Sequence, residues 1–97
     1  MSREVSTLWD SALEGFLASL RVERGRAANT LMAYQADLMR LGRWMCLHEV
    51  SDPAQVEHTH LASYMVALTE EGLNRHSVAR HRAAFRQFFK FLYEENL

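Results

Sequence analysis

With 97 residues, 48% of them hydrophobic, and only four glycines and one proline, the chain suffices for one domain with a real core and is poor in the turn residues of sheet-rich folds. A formal net charge of −1 argues against binding nucleic acid by bulk charge alone, and the single cysteine, Cys46, excludes an internal disulfide framework or a multi-thiolate zinc site. No stretch approaches the roughly 20 apolar residues of a membrane span, and the opening MSREVSTLWD, with Glu4 and Asp10, lacks the apolar core of an export signal; a cytoplasmic protein with no membrane partner is expected.

Four segments carry helical periodicity. Leu13, Phe16, Leu17 and Leu20 predict a first helix over about 6–23, with Ser6 or Thr7 placed to cap it and Gly25 just past its end. Leu31, Tyr34, Leu38, Leu41 and Met45 form the stripe of a second helix over about 28–48. Gly42 lies beside that stripe at a cost of about 1 kcal/mol in propensity, and close approach of another helix is the expected reason. The opposite face collects Asn29, Ala33, Ala36, Arg40 and Arg43, small residues between arginines that would let a flat partner come near. Ser51-Asp52-Pro53 reads as a loop. A third helix over about 58–71 turns Leu61, Tyr64, Met65 and Leu68 inward and ends at Gly72. Asn74 caps a fourth over about 75–94, with Val78, Phe85, Phe88, Phe89 and Leu92 toward the core and His76, Arg80, Ala83, Gln87 and Lys90 on the far side. The physical conclusion is an all-α, compact four-helix bundle, a fold that hosts unrelated functions.

Charge is sorted along the chain. Residues 75–90 hold Arg75, Arg80, Arg82, Arg86 and Lys90 and no acid, whereas 49–72 hold Glu49, Asp52, Glu57, Glu70 and Glu71 and no Lys or Arg. One basic and one acidic face follow, with ordinary solvated helix faces as the plainer alternative. Arginine, which forks onto phosphates and guanine edges, dominates the cations.

Catalytic chemistry is hard to find. His58 and His60 diverge on a helix and lack partners at metal-ligand spacing, and His76 and His81 fall on different faces, so all four read as surface or helix-terminal residues. His48 suits a helix C-terminus. Cys46, inside WMCLH, reads as a packed thiol. No nucleophile elbow or phosphate-cradling glycine loop is present. The aromatic run FRQFFKFLY has helical spacing and reads as core packing rather than base stacking, with Phe91 drifting to the polar side, covered by the bundle or by another domain.

Three stretches taken together carry a resemblance: FLASLRVERGRAANTLMAYQADLMRLGRWM, with Asn29-Thr30-Leu31, Tyr34 and Asp37-Leu38; the Asp-Pro turn and short helix of DPAQVEHTHLASYMVAL; and EEGLNRHSVARHRAAFRQFFKFLYEENL, with Gly72-Leu73, Ser77-Val78-Ala79-Arg80, Phe88-Phe89 and Phe91-Leu92. Their order and spacing, across roughly residues 13–97, resemble the N-terminal core-binding, SAM-like domain of Xer-type and phage-integrase tyrosine recombinases.

The resemblance implies a domain that clamps duplex DNA against a separate catalytic domain, in a tetramer of recombinase subunits, with no metal or other cofactor. It implies that the catalytic residues lie outside this chain, so this fragment is not itself an enzyme and Tyr34, Tyr64 and Tyr93 are not the nucleophile. Asn29, Thr30 and Arg40 match the family's second-helix DNA positions, and Ser77, Arg80 and Arg86 match the fourth. Arg43, His76, Gln87 and Lys90 join them on the same outer faces. Four of these have a local alternative: Asn29 and Thr30 where a helix needs capping, Ser77 three residues after Asn74, and Arg86 within reach of an intramolecular ion pair. Departures from the family pattern are Ala27-Ala28 in place of Ser-Pro, His81 where arginine is common, Arg82 for an apolar residue, and Glu57 for a capping threonine, with Thr59 as substitute cap. The expected centres of DNA contact are Arg40 and Arg80, with the acidic third helix facing away. A helical protein–protein interaction module without DNA binding is the competing reading.

Overall fold

A computed structural model describes residues 5–24 and 27–95. The order is α1 (Thr7–Arg24), α2 (Ala28–Leu47), a short 3-10 turn (Pro53–Gln55), α3 (His58–Glu70) and α4 (Arg75–Glu94). The described residues are all-helical or irregular, with no strand. α2 and α4 pack against each other and each also packs against both α1 and α3. α1 and α3 therefore flank a central α2–α4 pair.

The helix ends follow from local chemistry. Ser6 caps α1 by accepting the Trp9 N–H on Oγ at 3.0 Å. The expected break at Gly25 lies outside the described residues. α2 starts from Ala27, which offers no capping side chain, so Asn29 and Thr30 stand in its first turn and do not cap it. Both α2 and α3 close with an N–H reaching back five residues, Val50 to the Met45 carbonyl at 2.8 Å and Leu73 to the Leu68 carbonyl at 3.3 Å. That closure needs a left-handed residue between. Gly72 supplies it after α3, at φ +94°. After α2 the same position falls to Glu49 at φ 66°, a residue with no glycine-like freedom there.

α3 departs from the capping expectation. Glu57 is the N-cap, and its N–H donates at 2.8 Å to Nδ1 of His60, which takes the role that Glu or Gln usually has at that position. Thr59 lies within the helix and does not cap it. Asn74 caps α4, its Oδ1 accepting the Ser77 N–H at 2.8 Å. His48 caps α2, its Nδ1 lying 2.8 Å from the Trp44 carbonyl oxygen.

The core joins Leu13, Phe16, Leu17 and Leu20 of α1 to Tyr34, Leu38, Leu41 and Met45 of α2, Tyr64 and Leu68 of α3, and Phe85, Phe88 and Leu92 of α4. Trp9 is equally central: it is fully buried, its indole N–H donates to the Leu38 carbonyl at 3.0 Å, and its ring meets Phe88 at a centroid distance of 5.4 Å. The indole lies against Gly42, and a Cβ there would come within 2.5 Å of Nε1. The glycine in the middle of α2 thus exists for a tryptophan, one turn of α1 pressed onto α2. The phenylalanines of α4 pack inward, and Phe91 is half-buried on Phe16 at 5.7 Å, so the bundle covers it in part.

Candidate nucleic-acid interface

Two cross-links join the central helices. Gln87 Nε2 of α4 donates to the Tyr34 hydroxyl of α2 at 3.0 Å. One level along, Arg80 of α4 meets Asp37 of α2 through two parallel bonds, Nε to Oδ2 and Nη2 to Oδ1, both 2.8 Å. Arg80 and Gln87 are seven residues apart and Tyr34 and Asp37 three, so each pair follows the helical period along the shared seam. The seam brings the outer face of α2 beside the outer face of α4.

Asp37 is the feature that periodicity alone did not single out. It sits three residues after Tyr34 and four before Leu41, inside the apolar stripe, and its side chain is 5% exposed against 45% for Arg80. A buried carboxylate needs partners. Arg80 gives two donors, and Nε2 of His81 lies 3.3 Å from Oδ1. The same hydrogen bonding holds the Arg80 guanidinium firmly in its charged form.

His81 corrects the expectation of a surface histidine: it is buried, on the core side of α4. Burial, first, pushes its pKa below the usual imidazole value, with Arg80 and Arg40 adding to that and Asp37 opposing. The folded value therefore lies below the unfolded one of 6.5, and between them the unfolded chain binds more protons. The stabilisation is fully present above the unfolded value and is lost as pH falls through the folded one. Urea midpoints are accordingly expected to fall between pH 7.5 and 5.5, and His81→Gln to flatten that fall; an equal fall in the variant would remove His81 as its cause.

The remaining predicted contact residues divide by what holds them. Arg40 is ion-paired to Glu71 at the C-cap of α3. This corrects the expected separation of charge, since an acid from the third helix's end reaches a basic residue of α2. Asn29, His76 and Arg86 are exposed, Thr30, Arg43 and Ser77 half-buried. Lys90 is exposed and 3.9 Å from Glu94 one turn on. Neither Arg43 nor Arg86 has an ion-pair partner among the described residues. The Tyr64 hydroxyl is buried without a hydrogen-bond partner among them, and burial pushes its pKa up, so it stays protonated. No three His, Cys, Asp or Glu side chains among the described residues converge as a metal site would require, and no described helix is long and apolar enough to cross a membrane.

Fold and surface together define a small all-helical domain built on a central helix pair, with arginines spread over small residues on its outer side. The chain belongs to the family of phage integrase N-terminal, SAM-like domains, whose family model matches residues 13–96. Among curated proteins it is 40% identical over 81 residues to the tyrosine recombinase XerD of Listeria monocytogenes serovar 1/2a, covering 82% of this chain and 27% of that protein. It is 35% identical over 88 residues to XerD of Proteus mirabilis (91% and 28%) and 37% identical over 82 residues to the tyrosine recombinase XerC of Xanthomonas campestris pv. campestris (84% and 26%). The chain thus spans about a quarter of the length of the curated relatives it matches. No solved structure matches it significantly.

Proposed function

We propose that this chain is the DNA-gripping part of a site-specific tyrosine recombinase, holding duplex DNA across the joined outer faces of α2 and α4 while a separate catalytic domain performs strand exchange. Double-stranded DNA is the ligand, and other recombinase subunits, as a tetramer on DNA, are the protein partners. The observation that carries the reading is the α2–α4 seam, where the Asp37–Arg80 and Tyr34–Gln87 bonds fix the two arginine-bearing helices against each other, with Arg86 farther round α4 toward α3. Small side chains, Ala33 and Ala36 on α2 and Ala79 and Ala83 on α4, leave room for a phosphate backbone to approach. Family membership supports the same assignment.

On this reading Asn29, Thr30, Arg40, Arg43, His76, Ser77, Arg80, Arg86, Gln87 and Lys90 form the contact surface. Their work is mostly phosphate positioning, with a few base contacts. Arg43 and Arg86 are the cleanest reporters, because no ion pair to another described residue competes for them.

The test is a titration of the chain against a fluorescent 30-base-pair duplex of random sequence at several salt concentrations. Contact with about four phosphates gives a log–log salt slope near −4, and Arg43→Ala and Arg86→Ala should each flatten it by about one. No binding at low salt, or slopes unchanged in both variants, would falsify the assignment of this face. Capture of a protein partner through the same face with no salt dependence would favour the interaction-module reading instead.

A further inference from the structure

The Asp37–Arg80 pair is more specific than a salt bridge needs to be. Asp37 occupies one edge of the guanidinium, the edge formed by Nε and Nη2. Arginine carries five N–H donors in a rigid plane. Two point at Asp37, and three remain: both hydrogens of Nη1 and the outer hydrogen of Nη2. Two of those, the outer hydrogen of Nη2 and the Nη1 hydrogen beside it, form the adjacent, end-on edge, a fork suited to a pair of acceptors, while the last Nη1 hydrogen points toward the Cδ side. Arg80 is close to half exposed, whereas Asp37 is buried and held on α2. A buried clamp on one edge therefore fixes the plane and direction of the other.

Ion pairing of this kind is not general on this surface. Lys90 and Glu94 lie 3.9 Å apart in an exposed pair one turn along α4. Arg40 meets Glu71 through one nitrogen, both partners being substantially exposed. Arg80 alone among the described arginines is held through two nitrogens by a buried carboxylate. A buried anion opposite a partly exposed cation is a poor device for stability by itself, because desolvating the carboxylate offsets much of the attraction. It is a good device for immobilising a long side chain, whose rotamer entropy is otherwise lost at the moment of binding.

We infer that Asp37 is a positioning residue for DNA recognition: it holds Arg80 by its side edge so that the end-on edge meets a pair of acceptors on the duplex. This rests on the proposed DNA-binding face. Two acceptor pairs fit the fork, the O6 and N7 atoms of a guanine in the major groove and two oxygens of one phosphate. The chemistry is shared, and the experiment separates the sources.

The variants are Asp37→Asn, which removes the charge and one acceptor while keeping the shape, and Arg80→Lys, which keeps the charge and an ion pair with Asp37 but has no fork. Thermal melts establish that each is folded. Each is then titrated against the random 30-base-pair duplex and used to select from a randomised duplex library that is sequenced after enrichment. For a guanine, both variants lose the preference at one position while affinity for the random duplex stays within about threefold. For a phosphate, both lose about fivefold or more in affinity on every sequence, with no change in preference.

Either result supports the positioning role. Folded variants that match the wild type in affinity and in selected sequence overturn it, and if Asp37→Asn does not fold, Asp37→Glu, which keeps the charge but displaces the clamp by one methylene, is read on the same criteria. A wild-type chain that binds no duplex at low salt is a different failure, that of the DNA-binding face itself, and the titration registers it before any variant is made.

Discussion

Arg80→Ala is expected to destabilise the fold by about 3 kcal/mol, although more than two-fifths of the side chain is exposed. The cost lies with the partner. Removing the guanidinium strips Asp37 of two charge-assisted bonds at 2.8 Å and leaves a buried carboxylate with only His81 beside it. Water entering the space left by Arg80 moderates the penalty and keeps it at the low end of that seen for broken buried pairs. Asp37→Ala should cost less, about 1–2 kcal/mol, because Arg80 can then turn to solvent. The double variant should be clearly less destabilised than the sum of the two singles, by more than about 1 kcal/mol.

Urea denaturation of the four proteins measures all three quantities. A loss below about 1 kcal/mol in Arg80→Ala, or strict additivity in the cycle, would show that the pair does not hold α2 to α4. The result also bears on function: lost DNA binding in Arg80→Ala would mix a missing contact with a loosened seam. Arg43 and Arg86 separate the two.

Gly42→Ala should reverse the usual helix rule. In an exposed helix interior the change is favourable by about 1 kcal/mol. Here the new methyl would lie 2.5, 2.6 and 2.8 Å from Nε1, Cδ1 and Cε2 of Trp9. The indole cannot retreat cheaply, since its N–H is bonded to Leu38 and its ring is enclosed by Phe88 and Phe89. Either α1 is pushed off α2 or the hydrogen bond breaks, and a net loss of about 2–3 kcal/mol is expected, near 10 °C or more in melting temperature. Gly15→Ala is the control: its Cβ would sit 3.7 Å from the Phe91 ring, an ordinary contact, so a gain of about 0.5–1 kcal/mol is expected. If Gly42→Ala melts at or above the wild type, the account of Trp9 as a wedge against α2 is wrong.

These two sites mark where local reading of the chain stops. Gly42 is visible as an anomaly, a poor helix former in a long periodic segment, and close approach is the natural inference. What approaches is not visible, because Trp9 belongs to another helix 33 positions away. Trp9 itself extends the spacing of Leu13, Phe16 and Leu20 backwards by one turn, and that signal would have placed it in the core. Asp37 and His81 also had a signal. Both occupy inward positions in otherwise apolar stripes, Asp37 between Tyr34 and Leu41 and His81 between Val78 and Phe85. A charged or titratable residue at such a position implies a partner inside.

The proposed contact face shows the same division. The arginines of α2 and α4 are legible as outward-facing from period alone, and the order of motifs points to the integrase family. Which arginines are committed elsewhere is not legible. Arg40 is held by Glu71, which follows α3, and Arg80 by Asp37, from a helix 43 residues earlier. Charge counted by segment suggested that basic and acidic residues face apart; the pairs bring them together, because helices that pack side by side present their edges to one another regardless of where their charges fall in the chain.

The amino-acid sequence by itself therefore determined the four helices, the cap at Asn74, the first cap to within Ser6 or Thr7, the closing glycine at 72 and most of the apolar core, since these depend on hydrogen bonds and periodicities spanning a few residues. Only the tertiary structure decided the rotation of α2 against α4. That rotation buries Asp37 beneath Arg80, and the packing of α1 on α2 sets Trp9 into the gap at Gly42, because contacts between residues tens of positions apart depend on how whole helices pack.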